Sequence, residues 1–420
     1  MKIDIKKKII IFDSWTLGSI HIFRFAPLLV NSGIELCYCH VGSWGDDIGK
    51  KKEETINNLK FRDISYYGNN LKKILDHEKP DMVLFLSLDP MIHRAFNLYV
   101  KKYKILSAIL YPGLWSVQSY SSLFISPKNF FSHFISLLRG FYRSLTYSIP
   151  TYIKSLKVNK SSISDWYDFF FEFLFKFFGF IKHVAPKSAS IDYAFVFNDF
   201  DLDHAVKKFN LPKKNVFVIG VPDFIKFNLK SSQINSYSSK KINKNDNHIV
   251  YIGSGPRSTL MKFKSPLDYA NYIIFTAKYL KENLNFKLAC KLHYSRAKEY
   301  EILKKEKNII LINDNNFVKY LLKSRGALVE PSSAVLIPVA LGVPVFFACF
   351  GKLKGIKFGP ALLAYPNKKI INQLSDINHK TILKKKNKVN SKIISNIIGP
   401  QPSNLLPKRI VSHLITILNK

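Results

Sequence analysis

Continuous apolar runs alternate with amphipathic segments along most of this chain. Residues 8–13, KIIIFD, predict a first buried strand that stops on Asp13. A turn through Ser14, Gly18 and Ser19 follows, then a helix from about 20 to 31 closed by Gly33, then a second strand at 34–41, IELCYCHV. MVLFLSL (82–88) and KILSAILY (104–111) predict two more strands, and IDYAFVFN (191–198) a further one. A helix near 201–209 and the strand of NVFVIGVPDF (215–224) complete the series. The runs are apolar throughout, without strict alternation. That is what parallel strands covered on both faces require.

A second series begins after residues 226–247, which are rich in Ser, Lys and Asn and read as a linker. HIVYIGSG (248–255) is a strand running into a glycine turn. A helix is predicted at 266–284 with Pro266 in its first turn, then a strand at 286–295, a helix at about 296–305, a strand at 308–314 and a helix at 317–325. GALVEPSSAVLIPVALGVPVFF (326–347) reads as strand, serine turn, short apolar helix, Gly-Val-Pro turn and strand. The rhythm gives an N-terminal domain over 1–225, a linker over 226–247 and a C-terminal domain over 248–420. The amphipathic last helix (408–420) is expected to pack back on the first domain. Residues 118–185 interrupt the first domain with a Phe-rich helical insertion, including FFSHFISLLRGFYRSL (130–145) and DWYDFFFEFLFKFFGFI (165–181).

Composition adds a strong charge bias. Sixty-four Lys and Arg against 29 Asp and Glu leave a formal charge of +35, which favours polyanionic surroundings. A chain rich in Lys, Asn and Ile also arises from an AT-rich genome with no functional demand. No nucleic-acid motif accompanies the charge, and the aromatics cluster in apolar helices, so no nucleic-acid partner is expected. The four cysteines, Cys37, Cys39, Cys290 and Cys349, fall in apolar strand-like runs without metal-ligand spacing, which suggests reduced thiols and a cytoplasmic location. The N-terminal apolar run is too short for a secretory signal, and no uncharged run reaches spanning length.

In open α/β sheets ligands bind beyond the carboxyl ends of the strands. In the second series those tips carry Gly253, Ser254 and Gly255, with Arg257 just beyond, then Lys291 and His293, Asn313 and Asp314, and Glu330, Ser332 and Ser333. Glycines let backbone approach a ligand, Arg257 offers a planar fork for phosphate, and Lys291 and His293 project to one side of a strand end. Ser332 and Ser333 stand where a strand gives way to a helix, a place that favours phosphate but equally a helix cap. Glu330 suits a ribose or a role in orienting the loop. In the first series Asp13 or His21 offers a base for an acceptor hydroxyl, and Asp13 equally suits a plain turn residue. Asp46 and Asp47, and Asp89 with His93, lie beyond the second and third strands. Loop carboxylates are usually solvated, so no metal is expected.

The chain resembles the GT-B glycosyltransferase superfamily, in bacterial surface-polysaccharide or sialyltransferase-like form. GVPDF (220–224) resembles the passage between the two domains, and Ser332-Ser333 followed by Gly342-Val343-Pro344 resembles the nucleotide-phosphate element. Lys291 and His293 in KLHYS resemble a K-x-H-P element, although Tyr294 stands in place of the proline. The resemblance implies two Rossmann-like α/β domains facing a cleft. A nucleotide-sugar donor would bind the second domain, and a glycan or lipid-linked acceptor the first. It implies no cofactor beyond the sugar nucleotide as substrate. Ile337 and Pro338 occupy the stretch where many retaining members place a second glutamate, which points to inversion. The basic insertion, with Arg139, Arg143, Lys154, Lys157 and Lys160, suggests an anionic membrane surface as partner, or else an internal or oligomeric helical pair. A nucleotide-sugar 2-epimerase, a polyol-phosphate transferase and a nucleic-acid-binding protein are the competing readings.

Overall fold

A computed structural model describes residues 7–14, 16, 19–45, 51–111, 142–177, 190–239, 247–255, 262–382, 389–401 and 405–420. Two sheets organise the chain. The first has eight strands in the order β3-β4-β2-β1-β5-β6-β7-β8. These are β1 (Lys8–Asp13), β2 (Glu35–His40), β3 (Glu53–Ile56), β4 (Leu59–Asp63), β5 (Met82–Phe85), β6 (Leu106–Leu110), β7 (Tyr193–Val196) and β8 (Val216–Val218). All pairs are parallel except β3 with β4, a hairpin turned by Asn57 and Asn58, both at positive φ. The second sheet runs β11-β10-β9-β12-β13-β14. Its strands are β9 (His248–Ile252), β10 (Lys287–Lys291), β11 (Ile309–Leu311), β12 (Ala327–Val329), β13 (Val345–Ala348) and β14 (Lys368–Ile371), all parallel.

The central strands β1, β5, β9, β12 and β13 are buried along almost their whole length, as their unbroken apolar sequence demands. The segment expected as one helix over 20–31 is two short ones, Ser19–Ile22 and Ala26–Asn31. Pro27 sits at the start of the second, where its missing N–H costs nothing. Between the sheets the chain makes a one-turn helix, Asp223–Lys226, then a turn-rich stretch to 239 that buries Phe227, Leu229 and Tyr237. The Tyr237 hydroxyl donates to the Ser324 carbonyl at 2.7 Å.

The C-terminal segment meets the first sheet. Asn198 donates to the Ile397 carbonyl (2.8 Å), and Arg409 of the helix Leu406–Leu418 donates to the Ile219 carbonyl (3.2 Å). The His413 ring stacks on Phe217 with centroids 4.3 Å apart. Of the insertion, residues 142–177 are described. They are mostly helical and include Ile149–Val158 and Ile163–Phe177, while 118–141 and 178–185 lie outside the described residues.

Candidate functional site

Parallel strands bring their carboxyl ends to one edge, so each sheet presents a row of chain exits. In the second sheet that row is drawn together by Glu330, which follows β12 and is fully buried. Its carboxylate accepts from the Ser254 N–H (2.8 Å), the Ser254 hydroxyl (2.7 Å), the Tyr269 hydroxyl (2.8 Å) and the Tyr251 hydroxyl. A buried carboxylate needs such donors to offset its lost hydration. Burial and the Glu330 charge push both phenols well above their ordinary range. One acid thus fastens β9, the helix Pro266–Leu284 and the exit of β12 around the Gly253-Ser254-Gly255 turn. A Cβ at Gly253 would stand 2.6 Å from the Tyr269 hydroxyl, so only glycine fits there.

The rest of the row closes on that turn. A Cβ on Gly255 would lie 3.4 Å from the His293 ring, which places the imidazole against the turn. His293 Nδ1 lies 2.7 Å from the Ser295 hydroxyl. Burial, then the Lys226, Lys291 and Arg296 cations, lower its pKa to about 4, so the ring is neutral near pH 7. Arg296 donates to the Ser254 carbonyl at 2.6 Å and lies over the Tyr269 ring at 3.5 Å. Lys291 pairs with Asp314 at 2.8 Å, and Lys226 approaches the other oxygen of Asp314 at 3.3 Å. Burial acts to raise the Asp314 pKa, but the two lysines outweigh it and hold the acid below its ordinary value. The Asn313 side chain accepts from the Asn316 N–H and caps the turn that begins at Asp314. Ser332 accepts from the Ala334 N–H at 3.3 Å, capping the turn Ser333–Val335. Ser333, half-buried beside it, makes no side-chain hydrogen bond among the described residues. The buried helix Leu336–Leu341 then ends at Gly342 in the left-handed region, φ +82°. Arg257 lies outside the described residues.

The edge of the first sheet is built differently. Asp13, 7% exposed, accepts from the Ser14 N–H (2.7 Å) and distantly from the Tyr38 hydroxyl (3.3 Å). Burial outweighs those bonds and the His40 charge, raising its pKa to about 6. Beside it His93, fully buried, sits at the start of the helix Met91–Lys102. Its Nδ1 is 2.5 Å from the Ser87 carbonyl, which can only accept, so that nitrogen carries the proton. Burial lowers the His93 pKa to about 4, so the ring is neutral and Nε2 offers a lone pair to the Ser14 hydroxyl 2.8 Å away. Nε2 is also 3.9 Å from Asp13. The His93–Ser14 pair went unseen in the sequence because 79 residues separate them. His21 belongs to the helix Ser19–Ile22, but its side chain, like Gly18, Asp46 and Asp47, lies outside the described residues. Among the described residues no group of three or more His, Cys, Asp or Glu side chains is placed to hold a metal ion.

The helix Asp223–Lys226 links the two edges. Arg24 reaches Asp223 at 3.9 Å from the first lobe, and Lys226 reaches Asp314 in the second.

No protein-family model matches the chain, and no curated protein sequence matches it. Solved structures do. A variant of wall teichoic acid polymerase TagF aligns at 12% identity and TM-score 0.50, over 99% of this chain and 89% of that one. S. aureus MnaA with UDP aligns at 16% identity and TM-score 0.48, over 99% of this chain and 97% of that one. Methanocaldococcus jannaschii UDP-GlcNAc 2-epimerase, solved with UDP-GlcNAc and UDP, aligns at 14% identity and TM-score 0.47, over 97% and 99%. With the two parallel sheets and their helices, the TagF alignment establishes the architecture: this chain has the two-lobed α/β fold of GT-B proteins.

Proposed function

We propose that the chain is a glycosyltransferase that moves a sugar, with inversion, from a nucleotide-sugar donor to a hydroxyl of a glycan or lipid-linked acceptor. Assembly of a capsule, lipopolysaccharide or O-antigen is the process such a reaction serves. In this reading the donor lies on the second lobe. Its diphosphate meets Lys291 and the Ser332-Ser333 turn, with Arg257 part of the same set. Gly253 and Gly255 keep side chains out of the way, and His293 covers the nucleotide. As the anomeric C–O bond to the diphosphate breaks, the departing charge is stabilised by these cations and N–H and O–H donors.

The acceptor lies on the first lobe. Asp13 takes the proton of the acceptor hydroxyl as that oxygen attacks the anomeric carbon from the face opposite the leaving group. The observation that carries the reading is Asp13. It is a nearly buried carboxylate with a pKa of about 6, so it is ionised yet still basic near neutral pH. The Ser14 hydroxyl, anchored to His93, orients the acceptor beside it. His21 is the other candidate base.

Thermal-shift screening against UDP, CMP, GDP and CDP compounds, followed by transfer assays with the stabilising donor, tests this. Sugar transfer that needs an added acceptor supports it. Conversion of the sugar nucleotide to an epimer with no acceptor present replaces it with the 2-epimerase reading. Consumption of a CDP-alcohol replaces it with polyol-phosphate transfer.

A further inference from the structure

The helix Ile163–Phe177 has two apolar faces, and only one is used. Trp166 and Phe169 turn inward, where Phe169 meets Tyr152 with ring centroids 5.5 Å apart. On the outside Ile163, Tyr167, Phe170 and Phe171 follow one another at i, i+4, i+7 and i+8, a single stripe. They are 89, 61, 53 and 37% exposed. Large apolar side chains scattered singly on a surface need no explanation, but four in register on one helix do.

The surroundings say what covers them. The preceding helix Ile149–Val158 and the turn after it bring exposed Lys154, Lys157 and Lys160 to the same helical pair. Two copies of a chain with a formal charge of +35 would meet at this face against their own repulsion. An anionic surface meets it with attraction. The helix carries Asp165 and Asp168, which disfavour burial in the hydrocarbon of a bilayer. Among the described residues no helix is long and apolar enough to span. A helical pair that carries both an aromatic stripe and exposed lysines is suited to lie in the plane of the headgroups.

We infer that the outer face of the helix Ile163–Phe177, with Lys154, Lys157 and Lys160, docks the protein on an anionic lipid bilayer. The position of the pair adds a consequence that rests on the proposed reaction. Tyr147, just before the helical pair, stacks on Trp44 beyond β2 at 5.1 Å, and Arg94, next to His93, lies 5.8 Å from the Tyr152 ring. These contacts pack the inner side of the helical pair against the residues beyond β2 and the helix Met91–Lys102, on the lobe where a lipid-borne acceptor would arrive.

Vesicle co-sedimentation of the full chain at low salt tests the docking without any sugar substrate. The protein should sediment with vesicles of phosphatidylcholine and phosphatidylglycerol and stay in solution with phosphatidylcholine alone. Neutralising Lys154, Lys157 and Lys160 to Ala should weaken binding about fivefold for each charge removed. A Tyr167→Ser, Phe170→Ser variant should weaken it about tenfold while melting like the parent, because those side chains face solvent. Four outcomes would overturn the proposal. They are no sedimentation with phosphatidylglycerol, unchanged binding by the aromatic variant, a lowered melting point for that variant, or a parent dimer that the variant converts to monomer. Vesicle binding by a protein that transfers no sugar keeps the docking and removes only the proposed reaction.

Discussion

Two acids, Asp13 and Glu330, occupy equivalent places, each at the exit of a central strand and each nearly out of water. Glu330 is met by four donors from three elements. Asp13 is met by one close N–H and one distant hydroxyl. The same burial therefore has opposite consequences. Well supplied with donors, the carboxylate is a structural tie. Poorly supplied, it is held at a pKa of about 6 and is suited to exchanging a proton. The neighbours follow the same division. The second edge gathers Lys226, Lys291 and Arg296, and the first holds a neutral imidazole on a serine.

Removing each acid should separate the two roles. Glu330→Ala leaves buried Tyr251, Tyr269 and Ser254 donors without an acceptor, and should lower the unfolding free energy by about 4 kcal/mol in urea titrations. A loss under about 1 kcal/mol would show that the four bonds are not a tie.

Asp13→Asn should act in the other direction on stability and strongly on rate. Transfer should fall about a thousandfold while nucleotide affinity holds, and in the parent it should decline below pH 6 as the base protonates. The folded chain holds the Asp13 proton between its ordinary pKa of 3.8 and about 6, so its contribution to stability falls as pH rises through that window. Relative to the parent, the Asn variant should gain up to about 3 kcal/mol between pH 4 and 7. His93 has the opposite sign. Its folded pKa of about 4 lies below the ordinary 6.5, so its contribution is lost as pH falls from 6.5 toward 4. The two slopes oppose each other in the parent, and the Asn variant should expose the His93 slope in melts across pH.

Lys291→Ala should weaken nucleoside diphosphate binding about tenfold by calorimetry, with little change in melting because Lys226 still faces Asp314. The serine pair gives the smallest effects. Ser332→Ala should cost about 1 kcal/mol of stability through the lost cap, whereas Ser333→Ala should leave melting unchanged and reduce donor affinity.

The alternation of strands and helices was legible because two-sided burial writes an unbroken apolar run, as in KIIIFD or HIVYI. Strands without such a run do not show in the sequence. β3 exposes Glu53 and Ile56, and β14 exposes Lys369 and Ile370, while β4 is mostly buried yet carries Lys60, Arg62 and Asp63, so none of the three reads as a core strand. Asn57-Asn58 was the available signal, since consecutive Asn residues tolerate the left-handed backbone a tight hairpin needs. At the tips, sequence located Asp13, Lys291, His293 and Glu330 but could not assign their partners. Tyr269 lies 61 residues from Glu330, and His93 lies 79 from Ser14. Whether a strand-tip acid is a tie or a base depends on donors that only the folded chain assembles.

The Glu330 knot has a consequence for how this sequence can drift. Tyr251, Ser254, Tyr269 and Glu330 share one set of bonds, so a change at any of them would be felt by the other three. Gly253 is confined by the same tyrosine. Variation here would have to be concerted, with paired or triple replacements tolerated where single ones are not. The side chains of Lys291 and His293 make no bond to that acid and can change without breaking its set, although buried Leu292 still packs beside Gly253. Descendants of this chain could therefore alter what they hold without rebuilding the floor that holds it.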